Sequence, residues 1–138
     1  MDKAGAPYIL HPLRVMLALE REEERIAAVL HDVVENGGPD WSLARLEREG
    51  FSPRVISALR AVTKLPEEED PDGALPEEKS ARYLNLVKRA AADPIGRRVK
   101  RVDLEDNCNL SRIPNPGPKD YARVAEYREA IALLDSLG

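Results

Sequence analysis

Apolar residues in this chain recur every three or four positions between proline and glycine breaks, and nowhere do they alternate as in a half-buried strand. That period restricts the chain to helices. The first is predicted from Pro12 to about Glu20, with Leu13, Met16 and Leu17 on one stripe. The second, from about Glu22 to Glu35, faces Ile26, Val29, Leu30, Val33 and Val34 inward, and Gly37, Gly38 and Pro39 stop it. Ser42 caps a short helix through Leu43 and Leu46 that Gly50 ends. Ser52 and Pro53 open another in N-cap and N1 style, with Val55, Ile56, Leu59 and Val62 on its core side.

The stretch from Pro66 to Lys79 holds seven acids, two further prolines and a glycine, and reads as a solvated, mobile loop. A helix from about Ala81 to Ala91 follows. Asp93 and Pro94 start the next, which carries Ile95, Val99 and Val102 on to Asn107. Pro114, Pro116 and Pro118 make a rigid connection, and a last helix from about Lys119 to Leu137 buries Val124, Ile131 and Leu134. The expectation is an all-α, compact bundle of about seven helices, with residues 1–138 forming a single domain.

Charge and length exclude several roles. The net charge of −4 offers no broad basic face, so a nucleic-acid partner is not expected. No apolar run approaches the roughly 18 to 20 residues of a membrane span, and the N-terminus lacks a signal-peptide pattern, so the expected address is the cytoplasm. The lone Cys108 cannot form an internal disulfide, and no CxxC pattern exists.

The chain's two histidines, His11 and His31, stand on different predicted helices, and each has chemistry nearby. His31 and Asp32 lie near the end of an apolar-striped helix, about 100° apart around its axis, so both can converge on one ion. Asp103 lies on a third helix, one turn after Val99. A carboxylate on a buried stripe is costly unless paired or bound to a cation. Periodicity alone leaves the duller readings open: a core histidine held by a hydrogen bond, and an aspartate on an exposed side.

The order of four short strings narrows the choice. Lys3-Ala4-Gly5-Ala6-Pro7-Tyr8-Ile9-Leu10-His11-Pro12 resembles the opening signature of the RelA/SpoT hydrolase domain, a branch of the HD superfamily. Ala27 to Glu35, containing His31 and Asp32, resembles its second signature. Val62-Thr63-Lys64-Leu65 resembles the third, and Val99 to Asn107 the fourth. The resemblance implies an HD-type bundle holding a divalent metal, most often Mn²⁺, through His11, His31, Asp32 and Asp103. A mixed nitrogen and oxygen shell also suits Fe²⁺, Co²⁺ or Zn²⁺. The implied activity is hydrolysis of (p)ppGpp at its 3′-pyrophosphate by a metal-activated water. The alternatives are another nucleotide or phosphoester as substrate, or a metal- and nucleotide-binding module with little catalysis.

Glu35, one turn beyond His31 on the same face, is placed to orient or deprotonate that water. By resemblance Asn107 would contact the nucleotide sugar, and Lys3 and Lys100 would stand near the phosphates. The match departs at Asn36, where the family usually has an acid. An amide cannot accept a proton, so the change is expected to cost turnover on the alarmone. Arg101 replaces an apolar position and is expected to lower the pKa of Asp103. The family also carries a helix before Lys3. The expectation is either a start upstream or an absent first helix, whose loss would expose apolar surface and invite a homodimer. No synthetase or regulatory region is visible, so the chain reads as a stand-alone small hydrolase.

Overall fold

Side-chain caps set where several helices begin. Ser42 accepts from the backbone N–H of Arg45 at 3.2 Å, Ser52 from Val55 at 3.3 Å, and Asp93 from Gly96 at 2.8 Å. Proline opens four of the described helices at their first position, where its missing N–H costs nothing. A computed structural model describes residues 9–137. Among them it shows α1 (Leu10–Ala18), α2 (Glu22–Asn36), α3 (Leu43–Arg48), α4 (Pro53–Val62), α5 (Pro76–Ala91), α6 (Pro94–Asn107) and α7 (Pro118–Ser136), with short 3-10 turns at Pro66–Glu68 and Leu110–Arg112. The described chain is all-helical, as the periodicity predicts. None of these helices is long and apolar enough to cross a membrane.

α6 is the helix the others share: it packs against α1, α2, α4, α5 and α7. Ile95 and Val99 join a cluster with Val15, Leu19, Ala28, Ile56 and Leu59, drawn from α1, α2 and α4. Five residues after Val99, Leu104 joins a second cluster with Val87, Ala130 and Leu134 from α5 and α7. Gly96 lets α6 approach α4 closely, since a Cβ there would lie 3.3 Å from the Cβ of Ala61. Asp103 stands on α6 between Val99 of one cluster and Leu104 of the other.

The rotation of α1 and α2 differs from the predicted stripes. α1 buries Pro12 and Val15, with Leu19 beyond its end, while Leu13 and Leu17 are exposed. α2 buries Glu24, Ala27, Ala28 and His31, and its larger apolar residues Ile26, Leu30 and Val34 are only partly covered. Both helices are apolar over much of their circumference, so periodicity could not select the inward face. Small alanines let α2 approach closely, and its face carries Glu24 and His31 inward together. Glu24 is 1% exposed and meets Arg98 of α6 at 2.7 Å.

The acidic stretch is also more ordered than a solvated loop. α5 begins at Pro76, not near Ala81, because Pro76, Glu77 and Glu78 are favourable first-turn residues. Glu68, expected in solvent, is buried. Arg89 of α5 donates to both its carboxylate oxygens, at 2.6 and 3.3 Å, and to the carbonyls of Arg60 and Thr63, each at 2.6 Å. One guanidinium thereby satisfies the open C-terminal end of α4 and anchors the chain after it. Burial pushes the Glu68 carboxyl up, but Arg89 and the N–H of Leu65 hold it below the ordinary range.

Two outcomes follow. Leu104→Ala should lower unfolding stability by about 2–5 kcal/mol in chemical denaturation, the cost of a cavity between α6 and α7. Arg89→Ala should cost about 2–4 kcal/mol near neutral pH. Because the Glu68 pKa is depressed on folding, its share of that loss is present above the ordinary glutamate value of 4.5 and disappears as pH falls through the folded value. The gap in melting temperature between wild type and Arg89→Ala should therefore shrink between pH 6 and pH 3.

Candidate functional site

α1, α2 and α6 pack pairwise, and each turns polar groups toward their junction. His11 comes from the first turn of α1. His31, Asp32 and Glu35 come from the last two turns of α2, and Asp103 from the middle of α6. These five side chains line one cavity, on a floor of Val15, Ala28 and Val99. Its open volume is about 20 Å³, room for one water- or ion-sized occupant.

His11 is held from both ring nitrogens. Nε2 lies 2.8 Å from Oδ1 of Asp103, and Nδ1 lies 2.6 Å from Oδ2 of Asp106. Asp106 in turn accepts from Nε of Arg14 at 2.8 Å and from its Nη2 at 3.0 Å. The hydrogen bond to Asp103 raises the His11 pKa, burial lowers it, and Asp106 raises it again; the net direction is up. Burial pushes Asp103 up, but His11, Lys100 and His31 outweigh it and hold this carboxyl at about 2. Asp106 is likewise raised by burial and lowered further by Arg14 and His11.

On α2 the bonds are fewer. His31 Nε2 lies 2.9 Å from Oε1 of Glu35 but out of line for a hydrogen bond, so this buried nitrogen has no hydrogen-bond partner. Partial burial pushes Glu35 up, yet His31 beside it keeps the net shift downward, and the carboxylate stays ionised at neutral pH. Asn36 donates its amide to Oδ1 of Asp32 at 3.1 Å. Lys100 is 7% exposed, with Nζ 3.6 Å from Oδ2 of Asp103 and 5.3 Å from the ring centre of Tyr83. Its charge thus faces a carboxylate inside the bundle rather than open solvent.

The remaining residues of the predicted site stand further off. Asn107 ends α6 one turn past Asp103, half-buried and outside the cavity lining. Lys3 lies outside the described residues. Arg101 does not reach Asp103: it pairs with Glu105 and Asp135 on the other side of α6, so the low pKa of Asp103 comes from His11 and Lys100 instead. Two groups were missed in the sequence, Asp106 and Arg14. The available signal was spacing, since each follows a singled-out residue, Asp103 or His11, by one turn on the same face.

Among the described residues no group of three or more His, Cys, Asp or Glu side chains is gathered as an ion's ligand shell. The donors are turned on one another, most clearly His11 on Asp103. The residues nonetheless suit a divalent cation. Two imidazoles and two carboxylates are an apt donor set, the cavity has the volume of one small occupant, and the buried Nε2 of His31, beside Glu35, makes no aligned hydrogen bond. A ligand shell needs side-chain rotations that part His11 from Asp103.

No protein-family model matches the chain. In an alignment of 111 positions that covers 76% of the chain, it is 33% identical to a guanosine-3′,5′-bis(diphosphate) 3′-pyrophosphohydrolase of Aquifex aeolicus. The chain spans about 14% of that protein's length. This similarity makes the chain a distant relative of part of that hydrolase.

Proposed function

We propose that this chain is a metal-dependent phosphohydrolase of HD type that acts on a guanosine 3′,5′-bis(diphosphate)-like nucleotide, releasing pyrophosphate from the 3′ position. The observation that carries this reading is the meeting of His11, His31, Asp32, Glu35 and Asp103, from three helices, on one ion-sized cavity. The similarity to the Aquifex aeolicus protein supports this substrate class.

His11, His31, Asp32 and Asp103 would hold the ion, with Mn²⁺ the expected choice. When bound, such an ion acidifies a coordinated water and polarises a phosphoryl oxygen. The residues around it do the rest. Glu35, ionised and one turn from His31, accepts a proton from the attacking water. Lys100 fixes Asp103 from the side away from His11, the two groups holding different oxygens of one carboxylate. Lys3 and Asn107 are proposed contacts for phosphate and sugar.

A second reading, an HD phosphohydrolase for another nucleotide or phosphoester, is favoured by Asn36. Its amide is bonded to Asp32 and has no proton-accepting carboxylate to offer beside Glu35.

Purified protein with added Mn²⁺ should release pyrophosphate from ppGpp, and Asp32→Ala or Asp103→Ala should abolish the reaction while circular dichroism shows an intact helical fold. Turnover of other phosphoesters but no guanosine substrate would move the assignment to the second reading. Asn36→Asp should raise kcat on ppGpp by about 10²-fold if a second acid assists the water. An unchanged kcat in that variant would show that Glu35 alone carries the proton.

A further inference from the structure

Asp106 takes no part in the ligand set or the proton transfer proposed above, yet it makes the shortest contact His11 has. The geometry points to Asp106, clamped by Arg14, as the positioning residue for His11: it takes the Nδ1–H and leaves Nε2 as the nitrogen presented to the cavity. The inference rests on the metal-centre reading for its consequence, while the placement of the ring proton can be measured without any metal.

A histidine ligand binds through one nitrogen lone pair, so its proton must sit on the other nitrogen, and the acceptor there decides which one that is. Asp106 Oδ2 lies 2.6 Å from Nδ1, and its side chain is 12% exposed, so little water competes for the bond. The carboxylate cannot swing freely, because Arg14 grips both its oxygens with two nitrogens of one planar guanidinium. Nε2 then faces Asp103 at 2.8 Å, on the cavity side. Spacing makes the unit rigid. α1 supplies His11 and, one turn on, Arg14; α6 supplies Asp103 and, one turn on, Asp106. Each helix contributes one group at the cavity and one behind it.

An ion pair that merely joined α1 to α6 would change thermal stability but neither the ring proton nor metal affinity. The test therefore reads both of the latter. In metal-free wild type Asp103 stands at Nε2 as Asp106 stands at Nδ1, so the variant Asp103→Ala isolates the contact. Above the pH at which its imidazole loses its charge, nitrogen-15 NMR of metal-free Asp103→Ala should show His11 protonated at Nδ1. Adding Asp106→Ala should shift the ring toward an Nδ1/Nε2 mixture, whereas adding Asp106→Asn, whose amide oxygen can still accept, should keep the Nδ1–H form. Mn²⁺ affinity, followed by the electron paramagnetic resonance of the free ion, should fall 10- to 100-fold in Asp106→Ala and less in Asp106→Asn. His11 protonated at Nε2 in Asp103→Ala, or Asp106→Ala with unchanged tautomer in that background and unchanged Mn²⁺ affinity on its own, overturns the proposal. If Asp106→Ala fails to fold, the spectra of Asp103→Ala with and without Asp106→Asn decide it. Absence of Mn²⁺ binding by wild type would sink the metal-centre reading, and the NMR result would still settle what Asp106 does to His11.

Discussion

Everything at the junction of α1, α2 and α6 follows from placing a carboxylate, Asp103, inside a helical bundle, with its side chain only 15% exposed. An isolated charge there would cost several kcal/mol. Three groups offset it: His11 on one oxygen, Lys100 on the other, and His31 nearby. Each of these must come from a particular rotation of its helix, so the carboxylate dictates how α1 and α2 turn relative to α6. That accounts for a pattern hydrophobicity would not choose, in which α1 leaves Leu13 and Leu17 in solvent while Val15 and the half-buried His11 face inward.

The arrangement gains precision from where its parts are mounted. His11, His31, Asp32, Glu35 and Asp103 all sit on helices rather than loops, and α6 is braced from both sides by separate apolar clusters. Val99 belongs to one cluster and Leu104 to the other, so Asp103 cannot shift without disturbing either. Away from the junction, Arg89 ties α4, the turn after it and α5 into one unit by spending a single guanidinium on carbonyls and Glu68. The same economy recurs at the site, where one Arg14 holds Asp106 and Asp106 holds His11.

Helix number and most helix starts were legible in the sequence because caps are local: Ser42, Ser52 and Asp93 each bind a backbone N–H three residues on. The polar residues that line the cavity were legible through short strings around His11, His31 and Asp103, which need no knowledge of packing. What failed were the non-local features. The inward faces of α1 and α2 depend on where Asp103 lies. The acids of residues 66–79 read as loop because nothing near them in sequence reveals Arg89, and first-turn acids look like loop acids when counted by composition. Arg101 was placed by adjacency to Asp103, but adjacent helix positions diverge, and its partners are Glu105 and Asp135. Asp106 and Arg14 were visible only as spacing.

Charge balance gives the departure at Asn36 a meaning beyond a missing base. Asp32, Glu35, Asp103 and Asp106 bring four carboxylates to the junction, and Arg14 and Lys100 bring two fixed cations. Four carboxylates against two fixed cations leave a surplus of two negative charges before the imidazoles are counted. An acid at position 36 would raise that surplus and stand against Asp32, the carboxylate that Asn36 now touches. The amide instead donates to Asp32, which steadies that carboxylate without adding charge. Asn36 thus adds no charge to a junction already rich in carboxylates, and offers no proton-accepting carboxylate there.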